Sequence, residues 1–117
     1  MSSPVSVSVD IVDLDIFASA AKAEGYEMKE IIKNGIIVGL DWGSGYQKTQ
    51  VLYDEKKNGF ILNADSHHVE DFQNKVIPHY NALQLRANLE ATNRFTFPEN
   101  WMTRTSNSEV EVNAFYR

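Results

Sequence analysis

At 117 residues the chain has the length of one domain, and a 43% hydrophobic share with 11% aromatic residues can supply a core, so a two-domain enzyme is excluded. The lack of cysteine removes disulfides, thiolate nucleophiles and every cysteine-ligated metal or cluster site. A formal charge of -5 disfavours nonspecific binding to phosphate backbones, which takes clustered Lys and Arg.

Val5, Val7, Val9 and Ile11 alternate with Ser6, Ser8, Asp10 and Val12, the period of two of a half-buried strand. Asp13 can then cap a helix over residues 14–24, whose apolar positions are Leu14, Phe17, Ala18 and Ala21, and Gly25 supplies the left-handed residue that ends it. Residues 26–32 and 36–42 flank Asn34-Gly35, which predicts a type I′ hairpin because both central positions need positive φ. A further strand over 47–54 puts Thr49, Val51 and Tyr53 on one face. After a charged turn at 55–59, residues 60–65 alternate again, so four strands follow in meander order.

Ser66 is the predicted cap of the longest helix, about 69–92, with a stripe at Val69, Phe72, Val76, Tyr80, Leu83 and Ala87. Pro78 lacks an amide hydrogen and crowds the preceding turn, which predicts a kink or break near 76–78. Residues 94–97 and 110–116 read as short strands joined by a polar loop containing Pro98, Asn100 and Trp101. The order β-α-β-β-β-β-α-β-β predicts one α+β domain over 1–117, with a mainly antiparallel sheet and two helices on one face.

Three groups of residues could carry function. Glycines at 43 and 45 around Ser44, with Asp41 before them and Lys48 after, could bring backbone N–H groups close to a phosphate; a turn between adjacent strands explains them more simply. His67, His68 and Asp71 at a helix start are ligand types for zinc and other divalent metals, although an acidic, capped helix start accounts for the same residues. Trp42, Tyr46, Trp101, Tyr116 and Arg104 are of the types that dominate protein-binding energy, and Trp101 stands out because its segment reads as a loop. Arg86, Arg94, Arg104 and Arg117 with Phe95, Phe97 and Trp101 could form a stacking surface for bases, against which the negative balance weighs.

The leading expectation is a small non-enzymatic cytoplasmic protein that binds a protein partner through Trp42, Tyr46, Trp101 and Arg104, with no catalytic residue and no cofactor. A virus-encoded inhibitor of a host defence complex is one form of it, suited by a short, acidic, cysteine-free chain. A homo-oligomer is the other partner arrangement it admits. No charged segment followed by an apolar core opens the chain, and no run approaches the ~20 apolar residues of a membrane span, which makes the cytoplasm the expected compartment.

Two resemblances add to these expectations. The segment Gly39-Leu40-Asp41-Trp42-Gly43-Ser44-Gly45-Tyr46-Gln47-Lys48-Thr49 resembles the first phosphate loop of actin-like and sugar-kinase-like ATPases. That likeness implies Asp41 facing metal-bound phosphates, amides of Gly43, Ser44 and Gly45 as donors, and Lys48 neutralising charge; the family's second phosphate loop has no counterpart here. Across most of the chain, Val9-Asp10-Ile11-Val12-Asp13-Leu14, Glu24-Gly25-Tyr26, Ile61-Leu62-Asn63-Ala64-Asp65, Asp71-Phe72-Gln73-Asn74-Lys75-Val76-Ile77-Pro78-His79-Tyr80 and Glu109-Val110-Glu111-Val112 resemble the hypothetical chloroplast reading frame thirty-five family of cyanobacteria and plastids. The chain departs from that pattern at 39–48 and 99–107. The resemblance implies the α+β fold and no known activity.

Overall fold

A computed structural model describes residues 4–117, apart from the side chains of Pro4 and Tyr46. The first strand, β1 (Pro4–Val9), keeps the predicted alternation but stops at Val9. Beyond it Ile11 turns into the core, while Val12 points outward and its amide donates to the Tyr80 hydroxyl at 2.8 Å. Helix α1 (Leu14–Ala23) starts at Asp13 as expected, because that carboxylate accepts from the amides of Asp15 and Ile16. It ends in a Schellman motif: Gly25 has φ 96°, its amide donates to the Lys22 carbonyl, and the Tyr26 amide donates to the Ala21 carbonyl.

That motif shortens the next strand. Tyr26 closes α1 and sends its ring into the core, so β2 (Lys29–Lys33) begins three residues later than the predicted strand at 26. The hairpin to β3 (Ile36–Trp42) turns through Asn34 (φ 52°) and Gly35 (φ 76°), as the Asn-Gly pair predicts. Gln47, predicted to lie in the following strand, closes a single 3₁₀ turn (Gly45–Gln47), and β4 (Thr49–Asp54) starts after it. β5 (Gly59–Asp65) completes a sheet of order β1-β5-β4-β3-β2, antiparallel at every pair.

The register puts Val7, Leu62, Val51 and Leu40 in one row across the sheet. The last three are buried, packed in one core with Phe17, Ala20 and Ala21 of α1 and with Val69, Phe72, Val76 and Tyr80 from the second helical arm. The fold is α+β. Fully burying one such apolar side chain contributes about 1.5–3 kcal/mol, which is why this row, rather than any polar contact, fixes the helices on this face.

The second arm comprises α2 (Ser66–Asp71), one π turn (Phe72–Val76) and α3 (Ile77–Ala91). Asp65, and not the predicted Ser66, caps it, accepting from the His68 amide at 2.8 Å. The chain stays helical through Pro78, and the irregularity expected near 76–78 takes the form of the π turn that ends at Val76 rather than a break. The Ile77 amide reaches back to the Phe72 carbonyl, which widens the turn, and Pro78 falls in the first turn of α3, where its missing donor does least harm. The Asn74 carbonyl, four residues before Pro78, accepts instead from the Arg104 guanidinium at 3.1 Å.

The C-terminal part folds over α3 as two small ladders: β6 (Phe95–Thr96) with β9 (Phe115–Tyr116), and β7 (Met102–Arg104) with β8 (Val110–Val112), both antiparallel. β7 lies inside the predicted loop, and the predicted strand at 110–116 is two strands. Asn113 divides them, its amide donating to the Trp101 carbonyl and its side chain to the Asn100 carbonyl. Among the described residues, no helix is long and apolar enough to cross a membrane.

Candidate functional site

The glycine turn follows from local geometry. Gly43 (φ 79°) and Gly45 (φ 58°) hold left-handed backbone, and a Cβ at Gly43 would stand 2.8 Å from the Gln47 carbonyl oxygen. The amides of Gln47 and Lys48 donate to the carbonyls of Ser44 and Gly45, so the turn uses these two donors itself. Asp41 and Lys48 form a half-exposed pair at 3.7 Å. Trp42 points to the opposite sheet face, edge-on to Tyr26 at 4.8 Å and 5.5 Å from His68. The side chain of Tyr46 lies outside the described residues.

At the start of α2 the titratable groups pair with one another. Asp65 accepts from both the amide and the imidazole Nδ1 of His68, and those bonds hold its carboxyl below the usual range. Tyr26 donates its hydroxyl to Asp71, which also faces the Lys75 ammonium at 3.1 Å. Burial pushes Asp71 up, but the Tyr26 hydrogen bond and Lys75 outweigh it, leaving the carboxyl low; burial and the same bond push the Tyr26 phenol up. His67, His68 and Asp71 therefore do not converge as ligands, and no group of three His, Asp or Glu among the described residues could hold a metal ion.

Arg104 ties three parts of the chain together. Its guanidinium donates to the Glu24 carboxylate at 2.8 Å and to the carbonyls of Asn74, Lys75 and Asn107. His79 lies on the other side of Glu24, with Nδ1 at 3.9 Å. Burial pulls the His79 imidazole below its usual 6.5, Glu24 opposing and Arg104 reinforcing that shift. The native state thus holds His79 neutral, and the unfolded chain takes up the proton first as the pH falls. Stability from this site is complete above about pH 6.5 and is lost as the pH falls through the lowered native value. Thermal melts across that range are expected to show the loss, and a His79→Gln variant to flatten it; parallel curves for the two proteins would contradict the account.

Arg86 of α3 and the arginines and aromatics of residues 94–117 gather around the C-terminal ladders. The Arg86 guanidinium lies 4.7 Å from the ring centres of both Phe97 and Trp101. Phe95 meets Tyr116 edge-on at 5.4 Å, and the Arg117 amide donates to the Arg94 carbonyl, which brings both arginines beside the β6–β9 ladder. Phe115 is 62% exposed and Tyr116 70%.

No family model, curated protein or solved structure matches this chain.

The surface at 86–117 can bury large rings on a partner and desolvate arginines against it. Trp101 and Tyr116 belong to the sequence-derived set. Phe115 does not, because one continuous strand at 110–116 hides the change of direction at Asn113 that exposes two successive rings. The signal that could have found it is Asn113-Ala114, two residues of weak strand preference inside the run.

Proposed function

We propose that this chain is a small non-enzymatic cytoplasmic protein that binds a protein partner through the arginine and aromatic residues of the β6–β9 ladder and the Trp101 segment. The observation that carries this reading is the pair Phe115 and Tyr116, large rings left in solvent on a paired ladder, beside Arg94 and Arg117. Aromatic and arginine side chains of this kind supply most of the binding energy at protein interfaces. Burial accounts for His79, burial with the Asp71 bond for Tyr26, and intrachain partners for Asp65 and Asp71, so none needs a catalytic role to explain its state.

Affinity capture from the native host with the unaltered protein and with a Phe115→Asp, Tyr116→Asp variant tests this. Loss of two central anchors is expected to weaken the partner roughly 30-fold, so that one co-purifying protein disappears. The variant's melting temperature should fall by no more than a few degrees, since both residues are exposed and Tyr116 gives up only its edge contact with Phe95. Equal recovery by the two proteins would overturn the reading.

A further inference from the structure

Between α3 and β8 runs an open groove of about 670 Å³. One wall is Pro78, Asn81, Ala82 and Leu85, whose spacing places them on a single helix face. The other wall includes residues 108–112, of which Val110, Glu111 and Val112 form β8 and Ser108 and Glu109 end the loop before it. A strand turns successive side chains to opposite faces, so a consecutive run borders a groove along its edge and not through one face. β8 pairs with β7 alone among the described residues. A free strand edge facing a helix stripe is the arrangement that takes an extended peptide as an added strand.

Charge selects the occupant. Glu109 and Glu111 line the groove and are exposed, and no Lys or Arg lines it. Arg104, the nearest cation on β7, spends its guanidinium on Glu24 and three carbonyls. Along β8, Val110 and Val112 share one face and Glu111 the other. Directly opposed residues of an added strand share a face, so those facing the valines are apolar and those facing the glutamates cationic.

We propose that this groove binds an extended basic segment of a partner protein, alternating cationic and apolar residues, which adds to β8 as a further strand. Among the described residues, the β2 edge of the five-stranded sheet is also open, but it is blunted by Lys29 and Lys33 at its ends and by a register shift between Ile31 and Ile32. The groove contains none of the exposed rings of β9, so its occupancy does not depend on them.

The test uses a fluorescein-labelled decapeptide of alternating Lys and Val, with a decapeptide of five Lys followed by five Val and one of alternating Glu and Val as controls. Fluorescence anisotropy is expected to show saturable binding of the first and at least roughly tenfold weaker binding of the other two, since only the first matches both pattern and charge. Amide shifts in the unaltered protein should centre on residues 108–112 and on Leu85. Exchange of both glutamates, Glu109→Lys with Glu111→Lys, should remove the preference for the basic peptide. The proposal is overturned if the three peptides bind alike, if the shifts centre on Lys29–Lys33, or if the double exchange changes nothing. It is overturned equally if an oligothymidine decamer competes for the groove, or if residues 108–112 shift with protein concentration alone, which would make the occupant a nucleic acid or a second copy.

Discussion

Replacing Phe72 by alanine is expected to destabilise the fold by about 3–5 kcal/mol, the range seen when a buried phenylalanine is truncated. Phe72 is fully buried in the π turn. Its ring lies 4.6 Å from Tyr26 and 6.3 Å from Phe17, so it joins the end of α1 to the helical arm on the sheet. The cavity would open among side chains held from three directions, which leaves little room for collapse. Domains of this size have a total stability of only about 5–15 kcal/mol, so the variant should be marginal at room temperature. Urea unfolding reads this as a lower midpoint with an unchanged slope. A loss below about 1 kcal/mol would mean that the core is not centred on this residue.

Gly39→Ala is expected to have the second-largest effect, for a different reason. The β2–β3 register pairs Ile31 with Gly39 but Ile32 with Ile37, which leaves Val38 as an extra residue and bends β3. A Cβ on Gly39 would fall 2.1 Å from the Val51 carbonyl oxygen. That oxygen belongs to the backbone of β4 and cannot rotate away, so β3 and β4 must separate where Leu40 and Val51 meet in the core. Overpacking of this kind costs about 1–3 kcal/mol, and a backbone obstacle puts it at the upper end. Gly35→Ala is the control. Its φ of 76° strains an alanine, but nothing stands within 4 Å of the new methyl, so it should cost less. Thermal melts that rank the two the other way would contradict the bulge.

Where local chemistry decides the backbone, the sequence was a sufficient guide. Asn34-Gly35 can turn only one way, and Asp13 with Gly25 bounds α1 through bonds made within a few residues. It was not sufficient where a distant partner decides. Alternation cannot show that Tyr26 ends a helix and packs on Trp42 and Phe72, which moves the start of β2. Pro78 does weaken its helix, yet the break is absent because the π turn absorbs the strain and Arg104, 26 residues on, binds the orphaned carbonyl. β7 is three residues long, one apolar and two polar, and it exists only because β8 lies beside it.

The site divides along the same line. Trp101 and Tyr116 are legible as aromatics in irregular sequence, and the structure places Tyr116 in β9 and Trp101 just before β7, while Trp42 packs beside Tyr26 and His68, partly buried. Arg104, expected to face a partner, is bonded to Glu24 and to three carbonyls, a role that depends on contacts across 80 positions. Asp41 and Lys48 pair with each other across the glycine turn. None of these arrangements has a trace in spacing.

Photo-crosslinking in host extract from benzoylphenylalanine placed at Tyr116, and separately at the exposed Ile36 on the β2–β3 hairpin, tests the central claim most directly. One discrete adduct is expected from position 116 and none from position 36. An adduct from 36 with none from 116 would contradict it.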